Sequence, residues 1–168
     1  MKKLLSSIPT AILAFIIYVV YTGSLKIYDI ITGLAVALLV GFTISPLLIN
    51  DWRKALDMKR LFIAIKYALR YFLIDEVKAH IEVIKLGFSP RMPIKPGIVR
   101  VPYTSSSEYA LTAISLSITN TPGTVVVDFD KERKILYVNW IYVKSTSPEE
   151  NYKHIVEVFD KYAKKIFD

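Results

Sequence analysis

The sequence has no cysteine, so disulfides, thiolate metal sites and a cysteine nucleophile are excluded together. It has no glutamine and only two histidines, His80 and His154, which leaves little for a metal centre or a general base. Missing glutamine together with abundant lysine and isoleucine follows a hyperthermophile trend. A third absence is regional. Residues 4–25 and residues 30–50 contain no formally charged side chain. Each run matches the roughly 20 apolar residues that a helix needs to cross a bilayer. Neither carries the buried ionisable group that marks an ion or proton path, so the chain is not expected to move ions or protons by itself.

The first fifty residues therefore read as a helical hairpin turned at LKIYD. Tyr18, Tyr21 and Tyr28 sit near one membrane face, where amphipathic rings are favoured. Gly33, Ala35, Ala37 and Gly41 keep the second helix small on one side for close packing. Lys2 and Lys3 precede the first span, while Arg53, Lys54, Lys59 and Arg60 follow the second. Lys26 stands almost alone between them, which by the positive-inside rule places both ends in the cytoplasm. A signal peptide is the competing reading of MKK and the run after it. Against it, no small-x-small site follows Tyr21 and a second apolar run comes at once.

The net charge of +7 is unevenly spread: +2 over residues 1–50, +6 over 51–100 and −1 over 101–168. The folded C-terminal part is thus almost neutral, which argues against nucleic acid as a partner. The basic middle suits an anionic membrane surface. Residues 58–86 read as one long helix with Lys59, Lys66 and Arg70 on one stripe among apolar side chains. Such a helix lies in the headgroup plane or packs on protein. A third full span is the alternative, disfavoured because it buries Lys66 and Arg70. Asp75, Glu76 and His80 invite a metal or proton-relay reading; the plainer one is a solvated helix face. The linker GFSPRMPIKPG, with three prolines and two glycines, then ends the helix.

Residues 98–168 read as a small α/β domain of order β-α-β-β-α. IVRVPY is a short strand. Ser105 and Glu108 form a capping-box start for a helix with Leu111, Ile114 and Ile118 inward. TVVVDF and ILYVNWIYV are strands joined by the charged turn DKERK, with Val125, Val127 and Phe129 expected to face the core. Ser147-Pro148-Glu149-Glu150 starts a last helix with Ile155, Phe159, Tyr162 and Ile166 buried. Ser105, Ser106 and Ser107 lack a Gly-x-Ser-x-Gly setting, and His154 lies on a charged helix. No catalytic, cofactor-binding or metal-binding residue is assigned, and no cofactor is expected. The stretch NTPGT offers one glycine and no following lysine, so it reads as a helix-to-strand corner rather than a phosphate cradle.

The segments DEVKAHIEVI, SPRMPIKPGIVRVPY, ALTAISLSITNTPGTVVVDF and LYVNWI, in this order and spacing, resemble the MrpE/MnhE-like subunit of the Mrp-type multisubunit Na+/H+ antiporters. The chain departs from that pattern at Asp75, where the family commonly has Trp, and at Asn139, where it has His. The resemblance implies a non-catalytic accessory membrane subunit that supports assembly and ion transport. The setting it implies is a stand-alone antiporter or an archaeal membrane-bound hydrogenase or sulfur-reducing complex. Implied partners are the other Mrp-type antiporter membrane subunits, hydrogenase-module subunits and the lipid bilayer. The expected fold is a membrane α-helical hairpin plus a small α/β cytoplasmic domain, in a multi-pass protein of the cell membrane. Expected parts are the hairpin (1–52), the basic amphipathic helix with its Pro-rich linker (53–97) and the α/β domain (98–168). Two other readings remain: a membrane-anchored lipid- or protein-binding module acting alone, and an enzyme acting at the membrane.

Overall fold

The structure is a computed structural model describing residues 2–49 and 51–168. Met1, Asn50 and the side chains of Lys2 and Lys3 lie outside the described residues, and with them the N-terminal share of the expected charge asymmetry. The chain divides into two compact units, Met1–Met58 and Lys59–Asp168.

The first unit is the hairpin, α1 (Lys2–Thr22) and α2 (Ile27–Leu48), followed by one helical turn, α3 (Trp52–Ala55). Leu4–Thr22 and Ile27–Leu48 are long and apolar enough to cross a membrane. Their shared face is small and hydroxylic: Gly33, Ala37, Gly41 and Ser45 of α2 are buried, as are Ser7 and Thr10 of α1. Four-residue spacing keeps those α2 positions on one side. Ala35, expected there, is exposed, because two residues of helix turn it to the opposite side. Gly41 marks the closest approach, since a Cβ there would lie 2.9 Å from both the Ala11 Cβ and the Ser7 carbonyl oxygen. The Tyr18 and Thr32 hydroxyls meet at 2.9 Å between the helices.

The second unit opens with α4 (Met58–Arg70), which continues through one π-helical turn (Tyr71–Asp75) into α5 (Glu76–Gly87). After the linker come β1 (Gly97–Pro102), α6 (Glu108–Asn120), β2 (Thr124–Asp130) and β3 (Ile135–Trp140). A final helix runs from α7 (Pro148–Asn151) through a second π turn (Tyr152–Val156) into α8 (Glu157–Phe167). The sheet order is β1-β3-β2, with β3 antiparallel to both neighbours. So β1 and β2 run the same way and α6 is the crossover between them, carrying the chain past the place that β3 fills.

The core lies between one sheet face and the helices. Val99, Val101, Leu136, Val138 and Trp140 point into it, opposite Leu111, Ile114, Ile118, Ile155, Val156 and Phe159. Val125, Val127 and Phe129 do not share that burial; they are 44%, 51% and 48% exposed. The inward positions of β2 are Thr124 and, in part, Val126, and a bulge between Val126 and Asp128 shifts the register beyond them. On the last helix the buried set is Asn151, Ile155, Val156, Phe159, Asp160 and Ala163, while Tyr162 and Ile166 are only half-buried. The π turn sets that phase.

Candidate functional site

The π turn at Tyr71–Asp75 organises the face of the long helix that meets the domain. In a straight α-helix, residues five apart sit about 140° apart around the axis. The wider turn brings Tyr71 and Glu76 to the same side, and the Tyr71 Oη donates to the Glu76 Oε1 at 2.7 Å. Asn120 Nδ2 donates to the same carboxylate oxygen and to the Tyr71 Oη, both at 3.1 Å. One turn earlier, the Tyr67 and Ser117 hydroxyls share a short hydrogen bond. Thr121 Oγ1 stands 3.4 Å from the Tyr71 Oη and donates to the Ser117 carbonyl at 2.7 Å. Burial pushes the Tyr67 phenol up to about 12 and raises that of Tyr71 as well, so both keep their protons at neutral pH. Glu76 is buried, and His80 closes its remaining oxygen with Nδ1 3.2 Å from Oε2.

Asn120 and Thr121 belong to the NTPGT stretch. The corner expected there is present: Gly123 has φ +92°, and the Ile141 amide donates to its carbonyl at 2.9 Å. A Cβ on Gly123 would meet side-chain carbons of Ile141 and Val83 at 3.1 and 3.3 Å. The φ favours glycine, and a side chain there would also press on Ile141 and on Val83 of α5. The corner also lends two side chains to hold Tyr71 and Glu76. The local pattern of residues shows the bend and does not show the grip. A signal existed: the inward positions Tyr67, Tyr71, Glu76, Ala79 and Val83 contain a single step of five, which a regular helix cannot keep on one face.

The other candidate side chains are dispersed. Asp75 pairs with Arg70 at 3.2 Å and leaves Glu76 and His80 as a pair of their own. The helix that Ser105 was to cap starts at Glu108 with Ser107 as its cap, whose hydroxyl accepts from the Ala110 amide. Ser105 has moved inward because Asp160 claims it. That carboxylate is fully buried and accepts from the amides of Thr104 and Ser105 at 2.9 and 3.0 Å and from their hydroxyls at 2.8 and 2.7 Å. Burial alone would raise its pKa, but these donors outweigh burial and hold it below the usual carboxylate range. Ser106 and Ser107 give their amides to Asp168. His154 lies beside Trp140, with ring centroids 6.2 Å apart, at a groove of about 230 Å³ that Lys78, Glu82, Lys144 and Lys153 also line. Lys144 and Glu82 pair across it at 3.2 Å. Serine, histidine and carboxylate meet nowhere among the described residues as a nucleophile, base and orienting group.

The opposite face of the long helix is apolar and open. Leu61, Phe62, Ile65, Leu69, Phe72, Leu73, Val77, Ile81, Ile84 and Phe88 are all exposed. The inserted residue of the π turn matters here too. Without it, successive steps of four would drift the stripe by about 40° each.

A family model described as Na+/H+ ion antiporter subunit (MNHE) matches residues 11–166. The E-type subunit of the Na(+)/H(+) antiporter of Alkalihalophilus pseudofirmus is 29% identical over 153 residues, covering 91% of this chain and 90% of that protein. Among solved structures, a chain of the membrane-bound sulfane sulfur reductase (MBS), an archaeal respiratory membrane complex, superposes with TM-score 0.84 at 30% identity. It covers 96% of this chain and 99% of its own. A chain of the Mrp complex from Dietzia sp. DQ12-45-1b covers 58% of this chain, with TM-score 0.42 and 26% identity. With a match across nearly its whole length and two helices fit to cross a bilayer, this membrane protein belongs to the Na+/H+ ion antiporter subunit family.

Proposed function

We propose that the chain is a non-catalytic accessory subunit of an Mrp-type cation/proton antiporter module. Its hairpin crosses the membrane twice and packs on neighbouring membrane subunits, and residues 53–97 bridge to a cytoplasmic α/β domain formed by 98–168. The module is either a stand-alone antiporter or part of an archaeal respiratory complex with a hydrogenase or sulfur-reducing arm. The observation that carries this reading is the likeness to a chain of the MBS complex over 96% of the sequence. The hairpin supports it, because an accessory role asks for no ionisable path and residues 4–25 and 30–50 hold no formal charge. In the α/β domain, Asp160 ties the last helix to Thr104 and Ser105, and Ser117 and Asn120 tie α6 to the long helix.

Affinity purification of the tagged full-length chain from its native membrane, followed by mass spectrometry, tests the proposal. Co-purified antiporter-type subunits are expected, and a hydrogenase or sulfur-reducing component among them identifies the respiratory setting. A chain recovered alone and monodisperse in mild detergent overturns it. Sidedness has its own test. Protease added to intact cells should leave residues 98–168 uncut, and inverted vesicles should expose them.

A further inference from the structure

We infer that the open face of the helix Met58–Gly87 lies on an anionic bilayer surface, in the plane of the headgroups, and so seats the α/β domain against lipid. The inference rests on the reading that Ile27–Leu48 spans the membrane.

Three observations carry it. The first is reach. Nine residues separate the end of α2 at Leu48 from the start of α4 at Met58. Fully extended they cover about 30 Å, and the helical turn α3 within them shortens that. The long helix therefore begins within a short tether of the bilayer surface.

The second is what the inner face already holds. Arg60 donates from its guanidinium to the Ile166 carbonyl at 2.8 Å, and the Tyr67 ring stacks on Tyr162 with centroids 5.2 Å apart. Tyr71 and Glu76 bond to Asn120, and Val83 closes on Gly123. These contacts run from the first turn of α4 well into α5. A helix bound side-on to a folded domain along that length cannot cross the bilayer without taking the domain, with Lys131, Arg133 and Glu132, into hydrocarbon. Only a flat placement presents the whole apolar stripe to lipid at once. At about 1.5 Å per residue the stripe is about 45 Å long, and flat amphipathic helices sink about 5–10 Å into the headgroup boundary.

The third is charge. Between Met58 and Ile74 there are four basic residues, Lys59, Arg60, Lys66 and Arg70, and no acidic one. Lys66 is exposed beside Phe62 and Leu69, which are 68% and 57% exposed. An apolar stripe with cations along its margin complements lipid phosphate above acyl chain. Arg60 and Arg70 are already engaged by the Ile166 carbonyl and by Asp75, so Lys66 is the cation on this margin that a neutral protein surface would leave without a counter-charge.

The absence of native cysteine makes a direct test simple. Single cysteines at Phe62, Leu69, Leu73 and Ile81 of the full chain carry an environment-sensitive fluorophore. The labelled chain is purified with its native partners into nanodiscs containing quencher lipids of graded depth. Leu38→Cys in the second span and Glu132→Cys in the hairpin turn are the controls. The expected result is equal, shallow quenching at all four helix positions, deep quenching at Leu38 and none at Glu132. Discs of phosphatidylcholine mixed with phosphatidylglycerol should quench more than phosphatidylcholine alone. Lys66→Glu should raise the unquenched fraction about fivefold or more.

Depth that peaks at mid-helix overturns the inference in favour of a span. Probes shielded from both lipid and aqueous quenchers overturn it in favour of a protein partner. Probes open to water with Leu38 deep also overturn it, while leaving the membrane reading intact. A Leu38 probe open to water overturns the membrane reading itself.

Discussion

The hairpin and the α/β domain solve packing in opposite ways. In the hairpin the small and hydroxylic residues Ser7, Thr10, Gly33, Ala37, Gly41 and Ser45 are inside, and the large aliphatic ones face out. In the domain Ile114, Ile118, Leu136 and Val138 are inside, around a carboxylate, Asp160, that has no exposed surface. On the proposal that the hairpin crosses the membrane, the difference follows from the solvent each unit meets. Lipid gives two helices no hydrophobic reason to associate, so close approach and van der Waals contact must do it. Water drives large apolar side chains inward, but each polar group carried in with them needs a partner. The long helix combines both solutions, with an aromatic and hydrogen-bonded inner face and an aliphatic outer one.

Asp160→Ala should have the largest effect. It strands the buried Ser105 amide and hydroxyl and takes the acceptor from Thr104 and Tyr152 as well, and should cost the domain about 3–5 kcal/mol. Chemical denaturation of the solubilised chain followed by Trp140 fluorescence, in a Trp52→Phe background, measures it. The carboxyl's pKa is lowered on folding, so its contribution is present above the unfolded value of about 4 and is lost as pH falls through the lower folded value. Acid destabilisation below about pH 4 should therefore flatten in the variant. A cost under about 1 kcal/mol would mean that the domain, like the hairpin, holds together by shape alone.

Gly41→Leu comes next, at about 2 kcal/mol or more, because its first carbon already lies 2.9 Å from Ala11 and Ser7. Protease resistance of α1 in detergent should fall, whereas Ala35→Leu, on the exposed side, should leave it unchanged. Equal effects at both positions would remove the small-face account of the hairpin.

Tyr71→Phe and Asn120→Ala should each cost about 1–2 kcal/mol. Because both groups bond to Glu76, the double variant should fall short of the sum. Hydrogen exchange at residues 71–76 and 117–121 reads the loosening directly. Tyr67 adds a pH signature. Its phenol is raised on folding to about 12, so the stability it confers is full below the unfolded value of about 10 and fades as pH rises toward 12. Tyr67→Phe should remove that alkaline loss. Lys144→Ala, which breaks a groove-edge pair with Glu82, should change stability by under about 1 kcal/mol and so sets the floor.

Much of this was legible in the residues. Two uncharged runs of membrane length announced the hairpin, and capping serines, prolines and alternation gave the order of the domain. What escaped was phase. Between Leu61 and Ile74 both faces of the helix are apolar, so hydropathy could not show which side the domain occupies. Nor could it show that Tyr71 and Glu76 share that side across an extra residue. Val125, Val127 and Phe129 alternate correctly as a strand, yet alternation does not say which set is inward. The bulge and Thr124 decided that. Ser105 satisfied a capping pattern locally and lost to Asp160, a partner 55 residues away that no local pattern contains.

The π turn at Tyr71–Asp75 gives this helix two independent reading frames. A one-residue deletion elsewhere in it would swing everything beyond the deletion by about 100° and tear Tyr71, Glu76 or Val83 from the domain. A deletion inside the π turn instead leaves regular helix at the fault, with Tyr71 and Glu76 four apart and still on one side. Relatives whose alignments open a gap in this helix should open it at that turn.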